Sequence, residues 1–146
     1  MKENVAFRSL CPVATSLDVI GDKWTLLILR DMIWGHKTMF HEFKESPEKM
    51  PSKMLSNRLK KLESIGFISK QKGTVNKKSI YYLLEKRGFD TFPIMIEMAI
   101  FTTKHFFDHL GTTYTGDVKK RMLKDKLDYT KELILNYKQF VRLQTF

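Results

Sequence analysis

The sequence predicts a mainly helical fold that carries one small β-hairpin. Three observations predict it. Apolar residues recur at helical spacing through most of the chain, as in Leu55, Leu59 and Leu62, whose i, i+4, i+7 pattern makes one stripe on a helix. One central stretch changes period: residues 67–72 and 79–84 are rich in β-branched and aromatic side chains and flank a polar loop over 73–78. Single glycines and prolines punctuate the segments in between.

Cys11-Pro12 opens the first helix, because proline suits the first helical position, where an N–H is not needed. Val13, Leu17 and Ile20 give it one apolar face, and Gly21 ends it. Asp22 suits the N-cap of a second helix. From Trp24 to Trp34 that helix is apolar almost all round, as a central core helix is, and Gly35 marks its end. Residues 38–46 read as a short helix with Phe40 and Phe43 inward, followed by the turn Ser46-Pro47-Glu48-Lys49. The leucine stripe then defines an amphipathic helix over 50–66, closed by Gly66. Two short helices joined by a tight turn, the second polar on its outer face, form a helix-turn-helix; the hairpin that follows directly makes it a winged helix.

After Lys86-Arg87-Gly88 a helix is expected over about 89–109. Phe92, Ile96, Ala99 and Thr103 form its stripe, which Met95, Met98 and Phe106 widen. Residues 111–116 interrupt it, and Asp117 caps a final helix. There Leu123, Leu127, Ile134, Tyr137 and Val141 recur at spacings near 3.5 residues. This is either a pairing seam between subunits or a face packed on its own domain.

At 146 residues the chain is read as a single winged-helix domain, 1–146. Its 42% hydrophobic content excludes a disordered chain. No apolar run reaches the roughly 18 residues of a membrane span, and the start has no long apolar segment of a secretory signal. The single cysteine forms no internal disulfide, which fits a reducing, cytoplasmic location. No membrane partner is expected.

The helix over 50–66 has two faces. At about 100° per residue, Lys53, Asn57 and Lys60 point roughly opposite the leucines, with Ser56 at the flank and Ser52 at the helix start. Such a face offers donors for phosphates and base edges, as a major-groove reader must. Alone, the pattern equally fits a solvated surface helix. Charge favours the reader. The chain carries 26 Lys+Arg against 16 Asp+Glu, a formal net charge of +10. Lys49, Lys53, Arg58, Lys60, Lys61, Lys70, Lys72, Lys77 and Lys78 cluster together, and only Glu63 opposes them in that stretch. A local excess of this kind is the footprint of a polyanion. Arg58 lies toward the leucine side, and Lys72, Lys77 and Lys78 suit backbone contacts from the wing.

Other chemistry is thinly represented. His36, His41, His105 and His109 do not complete a metal site, although His105 and His109 share a helical face. No cofactor is expected. No nucleophile–base pair or glycine-rich phosphate loop is apparent, so no enzyme is expected. Cys11 carries two readings. A lone cysteine is often a small buried hydrophobe; at a helix N-terminus, with Arg8 nearby in sequence, its thiolate is also favoured.

The segment from Cys11 through Gly21-Asp22-Lys23-Trp24 to Asp31 resembles the opening of HxlR-type bacterial transcriptional regulators. The block Leu55-Ser56-Asn57-Arg58-Leu59-Lys60-Lys61-Leu62-Glu63 and the Gly66-Phe67-Ile68 entry to the wing resemble the same family. The likeness covers about residues 11–107 and leaves 108–146 as a helical extension. It implies a homodimer whose recognition helices enter successive major grooves of a double-stranded operator with two half-sites, joined through terminal helices. It also implies that Arg58 matches a near-constant arginine that braces the domain or reaches a phosphate, and that Cys11 matches a cysteine that senses oxidants or electrophiles in several members. Two departures stand out. Met50-Pro51 replaces an apolar residue followed by serine, which removes the N-cap hydroxyl or shifts it to Ser52. Leu83-Leu84-Glu85 stands where the family has Leu-Thr. The expected function is a DNA-binding regulator, switched through Cys11 or by a small-molecule effector, or gated by abundance alone. The alternative is a winged-helix protein-interaction module without direct DNA binding.

Overall fold

The computed structural model describes residues 5–106 and 117–144. Helices α1 (Pro12–Ile20), α2 (Lys23–Gly35), α3 (Phe40–Lys44) and α4 (Ser52–Ser64) precede a two-stranded antiparallel hairpin, β1 (Ile68–Lys72) and β2 (Ile80–Leu84). A one-turn α5 (Lys86–Phe89) leads to α6 (Phe92–His105), and α7 (Asp117–Lys124) and α8 (Lys126–Leu143) follow. This is the mainly helical winged helix-turn-helix that the sequence predicts. Among the described residues no helix is long and apolar enough to cross a membrane.

Helix α2 is the hub. Ile28, Leu29, Met32 and Ile33 are fully buried, and α2 packs against α1, α4, α6 and α8. The Asp22 carboxylate caps its start, accepting from the Thr25 amide at 3.0 Å and the Thr25 hydroxyl at 2.6 Å. Its end differs from the expectation at Gly35. Gly35 stays helical, and His36 takes the left-handed cap at φ 51°. Phe43 of α3 and Leu55, Leu59 and Leu62 of α4 fill the space beneath, as the stripe requires. Gly66, at φ 76°, supplies the left-handed turn that releases the chain into β1.

Three expectations change. Val13 and Leu17 of α1 face outward, 69% and 55% exposed; only Ile20 of that face is buried. The helix expected from about Phe89 begins at Phe92 as α6, and α5 precedes it as a separate turn. Pro93 sits in the first turn of α6, and a proline without an N–H cannot continue a helix arriving from its N-terminal side. The expected continuation to His109 and the break over 111–116 lie outside the described residues. The final helix is two elements, because Asp125 leaves helical geometry and caps α8, accepting from the Asp128 amide at 2.9 Å. Of the proposed seam only Tyr137 is buried; Ile134 and Val141 are half-buried, Leu123 and Leu127 are exposed, and α8 packs on α2 and α6 of its own chain.

Candidate nucleic-acid interface

The turn before α4 is built from short-range bonds. Glu42 reaches back to accept from the Thr38 and Met39 amides, both at 2.7 Å, which fixes α3. Lys49 adopts φ 50° and donates its amide to the Ser46 carbonyl at 2.9 Å. Lys44 Nζ donates to the Met50 carbonyl at 2.6 Å and ties the turn to α3. Beneath it lies a polar knot: buried Asp31 accepts from Arg30, Lys37 and Ser46, and Arg30 also pairs with Glu48. The Arg30 guanidinium outweighs burial and holds the Glu48 carboxyl down to about 2. Pro51 is the N-cap of α4 and Ser52 its first residue, without a side-chain cap bond. The hydroxyl is thus absent from the N-cap position.

Three cations orient α4 from its inner side. Arg58 Nε lies 2.9 Å from Asp22 Oδ1, an ion pair without hydrogen-bond geometry in which Nε is buried. Lys61 Nζ donates to the Asp18 carbonyl at the end of α1, at 3.2 Å. Arg87 of α5 donates to the Ile65 carbonyl at 2.7 Å, where a cation favours the helix end. Burial opposes ionisation of Asp22, yet the Thr25 hydroxyl and amide, Arg58 and Lys61 together hold its carboxyl below the usual range. The Arg8 amide and guanidinium do the same for Asp18. In sequence Asp18 and Arg87 carry no sign of this role, and Asp22 shows only its capping one. Only the helical phase of Lys61, one position before a stripe leucine, hints at its inward course.

The outer side of α4 is different. Ser52, Lys53, Asn57 and Lys60 are exposed, and Ser56 is half-buried at the flank. Beyond it the hairpin pairs Ile68 with Leu84 through Lys72 with Ile80. Lys70 crosses back to Glu63 at 2.7 Å and fastens β1 to α4. The loop over 73–79 closes by Gly73 N–H to the Ser79 carbonyl at 3.0 Å and Ser79 N–H to the Asn76 carbonyl at 2.9 Å. Lys72, Lys77 and Lys78 are exposed around it. Lys53, Lys60, Lys72, Lys77 and Lys78 form no ion pair with any described residue. Of the nine predicted nucleic-acid residues, Ser52, Lys53, Asn57, Lys60, Lys72, Lys77 and Lys78 are exposed on α4 and the wing, and Ser56 is half-buried at the flank of α4. The ninth, Arg58, turns inward.

Cys11 is exposed and is the N-cap of α1. Its amide donates to Ser9 Oγ at 3.2 Å, while Arg8, the nearby cation, is engaged by Asp18. Among the described residues no group of three His, Cys, Asp or Glu side chains could hold a metal ion; His109 lies outside them. Elsewhere, a cleft of about 230 Å³ opens between α2 and α6, lined by Leu26, Leu27, Trp34, Met95 and Met98, with Arg30 at its edge.

The profile of the HxlR-like helix-turn-helix family matches residues 19–110. Over 95 residues the chain is 33% identical to the HTH-type transcriptional regulator YdeP of Bacillus subtilis (strain 168), which spans 65% of this chain and 73% of YdeP. It is also 33% identical over 88 residues to the regulator YybR of the same organism, covering 60% of this chain and 70% of YybR. The solved structure of the redox regulator HypR in its oxidized form superposes with a TM-score of 0.58 at 28% identity, covering 65% of this chain and 97% of HypR.

Proposed function

This chain belongs to the HxlR-like helix-turn-helix family of transcriptional regulators, not to a family of enzymes, and we propose that it works in the cytoplasm as a homodimer on double-stranded DNA. The whole chain, 1–146, acts as one winged-helix unit. In each subunit α4 enters a major groove, and the wing follows the phosphate backbone. One observation carries this reading: the inward cations of α4 are engaged by acids and carbonyls, while Lys53, Lys60 and the wing lysines stay open on one surface. Asn57 is the base reader, since an asparagine amide matches adenine in two bonds. Ser52, Ser56 and the lysines hold phosphates.

The dimer is read from apolar surface. Val13 and Leu17 of α1, with Ile94, Met98 and Phe101 of α6, are exposed. The end of α1 and the start of α6 face one pocket, lined by Val19, Ile20 and Ile94. Two-fold symmetry then sets the half-sites about one helical turn apart, or a multiple of it. For the signal, exposed Cys11 supports oxidant or electrophile sensing, and so does the likeness to HypR, a redox regulator. A small apolar effector in the α2–α6 cleft is the second reading, supported by its lining.

Binding to DNA selected from a random pool tests the assignment. Lys49, Lys53, Lys60, Lys72, Lys77 and Lys78 are the open cations of this surface. Their number limits the slope of log affinity against log salt to about −5 per subunit. Asn57→Ala relaxes preference at one position per half-site at a cost of roughly 1–3 kcal/mol. Replacing Lys77 and Lys78 with alanine weakens all sequences alike. A protein without a salt-dependent affinity for any duplex is instead the interaction module.

A further inference from the structure

Helix α8 lies beyond the residues that match the family, and it closes the open edge of the wing. We propose that Tyr137 is a positioning residue for DNA binding: its hydroxyl fixes β2, and through β2 the basic loop that β2 carries. The inference rests on the reading that the wing lysines touch the DNA backbone.

The hydrogen bonds of β2 show how. The sheet has two strands, so β2 has β1 on one edge and no strand on the other. Amides alternate in direction along a strand. Glu85 N–H donates toward β1, to the Phe67 carbonyl at 2.9 Å. Tyr82 and Leu84 N–H therefore point to the open edge. Tyr82 N–H is taken by the Thr38 carbonyl at 2.7 Å, from the linker after α2. Leu84 N–H is taken by the Tyr137 hydroxyl at 3.0 Å. Leu84 is buried, and a buried amide needs a partner. Across 53 residues of sequence, the C-terminal helix supplies it.

The same ring holds both flanks of the strand. Tyr137 is 2% exposed. It meets Phe89, just past β2, edge-on at 5.6 Å, and His36, just before the Thr38 linker, at 6.1 Å. One turn on, Phe140 stacks on His36 at 4.8 Å. Burial pushes the Tyr137 phenol up to about 12, so the group stays a neutral hydroxyl at working pH. The wing loop itself is closed by bonds within residues 73–79. Its position over the DNA is thus inherited from β1, which Lys70 and Glu63 fasten to α4, and from β2, which Thr38 and Tyr137 fasten to α2 and α8.

Tyr137→Phe in the full chain tests this, because it keeps the ring and removes only the hydroxyl. Amide exchange is measured along β1 and β2, with α2 and α4 as internal references. Affinity is measured on a mixed-sequence duplex across a salt series. The expected result is faster exchange at Tyr82 and Leu84 with α2 and α4 still protected. Affinity falls by about tenfold with a flatter slope. In a background where Lys77 and Lys78 are alanine, Tyr137→Phe then adds no further loss, because the contacts it positions are gone. Unchanged protection of β2 overturns the proposal. So does a loosened β2 with wild-type affinity while the lysine variant binds weakly. A lysine variant that binds like wild type marks a different failure, that of the wing–DNA reading, and takes the positioning role with it.

Discussion

Asp22 joins the start of the core helix to the recognition helix, and its replacement separates two roles that occupy one carboxylate. As N-cap of α2 it accepts from the Thr25 amide and hydroxyl; as a counter-ion it faces Arg58. Loss of the cap costs ~1 kcal/mol. Thr25 is fully buried, so a hydroxyl left without its acceptor adds ~1 kcal/mol or more. The ion pair is worth less. Its side chains keep 28% and 29% of their exposure, which places it near the surface range of ~0.2–1 kcal/mol. Asp22→Ala should therefore cost ~2–3 kcal/mol, a fall in Tm of roughly 5–10 °C for a chain of this size. Asp22→Asn keeps an acceptor for the amide, and the Thr25 hydroxyl can reverse and accept from the new NH₂. Its cost should stay at ~1 kcal/mol or below. Urea unfolding followed by helical circular dichroism, on both variants, Arg58→Ala and the Asp22→Ala/Arg58→Ala pair, gives the coupling directly. The expected coupling is ~0.5 kcal/mol. Because the folded carboxyl titrates below its unfolded value of about 3.9, this contribution is present above that pH and is lost as pH falls through the folded value. Asn as costly as Ala would refute the capping argument. Zero coupling would refute the brace and return Arg58 to the phosphate-binding set.

Phe101→Glu, at a site 58% exposed on α6, should give a folded monomer by light scattering, whereas Ile134→Glu, half-buried on α8, should lower stability before it alters assembly; a Phe101→Glu dimer removes α6 from the interface. Cys11 is exposed, so native labelling should match a free thiol in rate, and Cys11→Ser should bind DNA normally but lose any response to peroxide; protection until global unfolding sinks sensing. His36 has its pKa lowered by burial, so the neutral ring stabilises the stack on Phe140 above its unfolded pKa of about 6.5, and that stability is lost as pH falls through the folded value. The Tm gap between wild type and His36→Asn, which tolerates the left-handed position, should narrow from pH 7.5 to 5; a constant gap rejects the assignment.

Periodicity made the fold legible where burial is one-sided. The α4 leucines, the all-round apolar α2 and the change to period 2 at the hairpin each report a single physical partner, the core. The same rule misplaced the face of α1. Val13 and Leu17 have the spacing of a core stripe but stand outward, because periodicity records that a face avoids water and not which surface covers it. Breaks were harder to see. Asp125 divides a helix that reads as continuous and Pro93 stands in the first turn of α6, and both act through backbone donors, which hydrophobic spacing does not weigh.

Charge along the chain and charge in space differ. Along the chain, nine cations between Lys49 and Lys78 face one acid, Glu63. In space, two more carboxylates arrive from α1 and its end: Asp22 meets Arg58, and Asp18 lies near Lys61. Glu63 itself is spent on Lys70. The positive field is thus trimmed on the inner side of α4 and at Lys70 of β1, and left whole on the outer side of α4, at Lys72 and on the wing loop. That trimming is what orients the helix: cations with partners anchor it, and cations without them face outward, open to a polyanion. The wing obeys the same logic with amides in place of charges. Its outward N–H groups take their partners from Thr38 and Tyr137, residues far apart in sequence. No local pattern could disclose them, because an edge amide's need is fixed by the strand while its partner is fixed by the packing of α8.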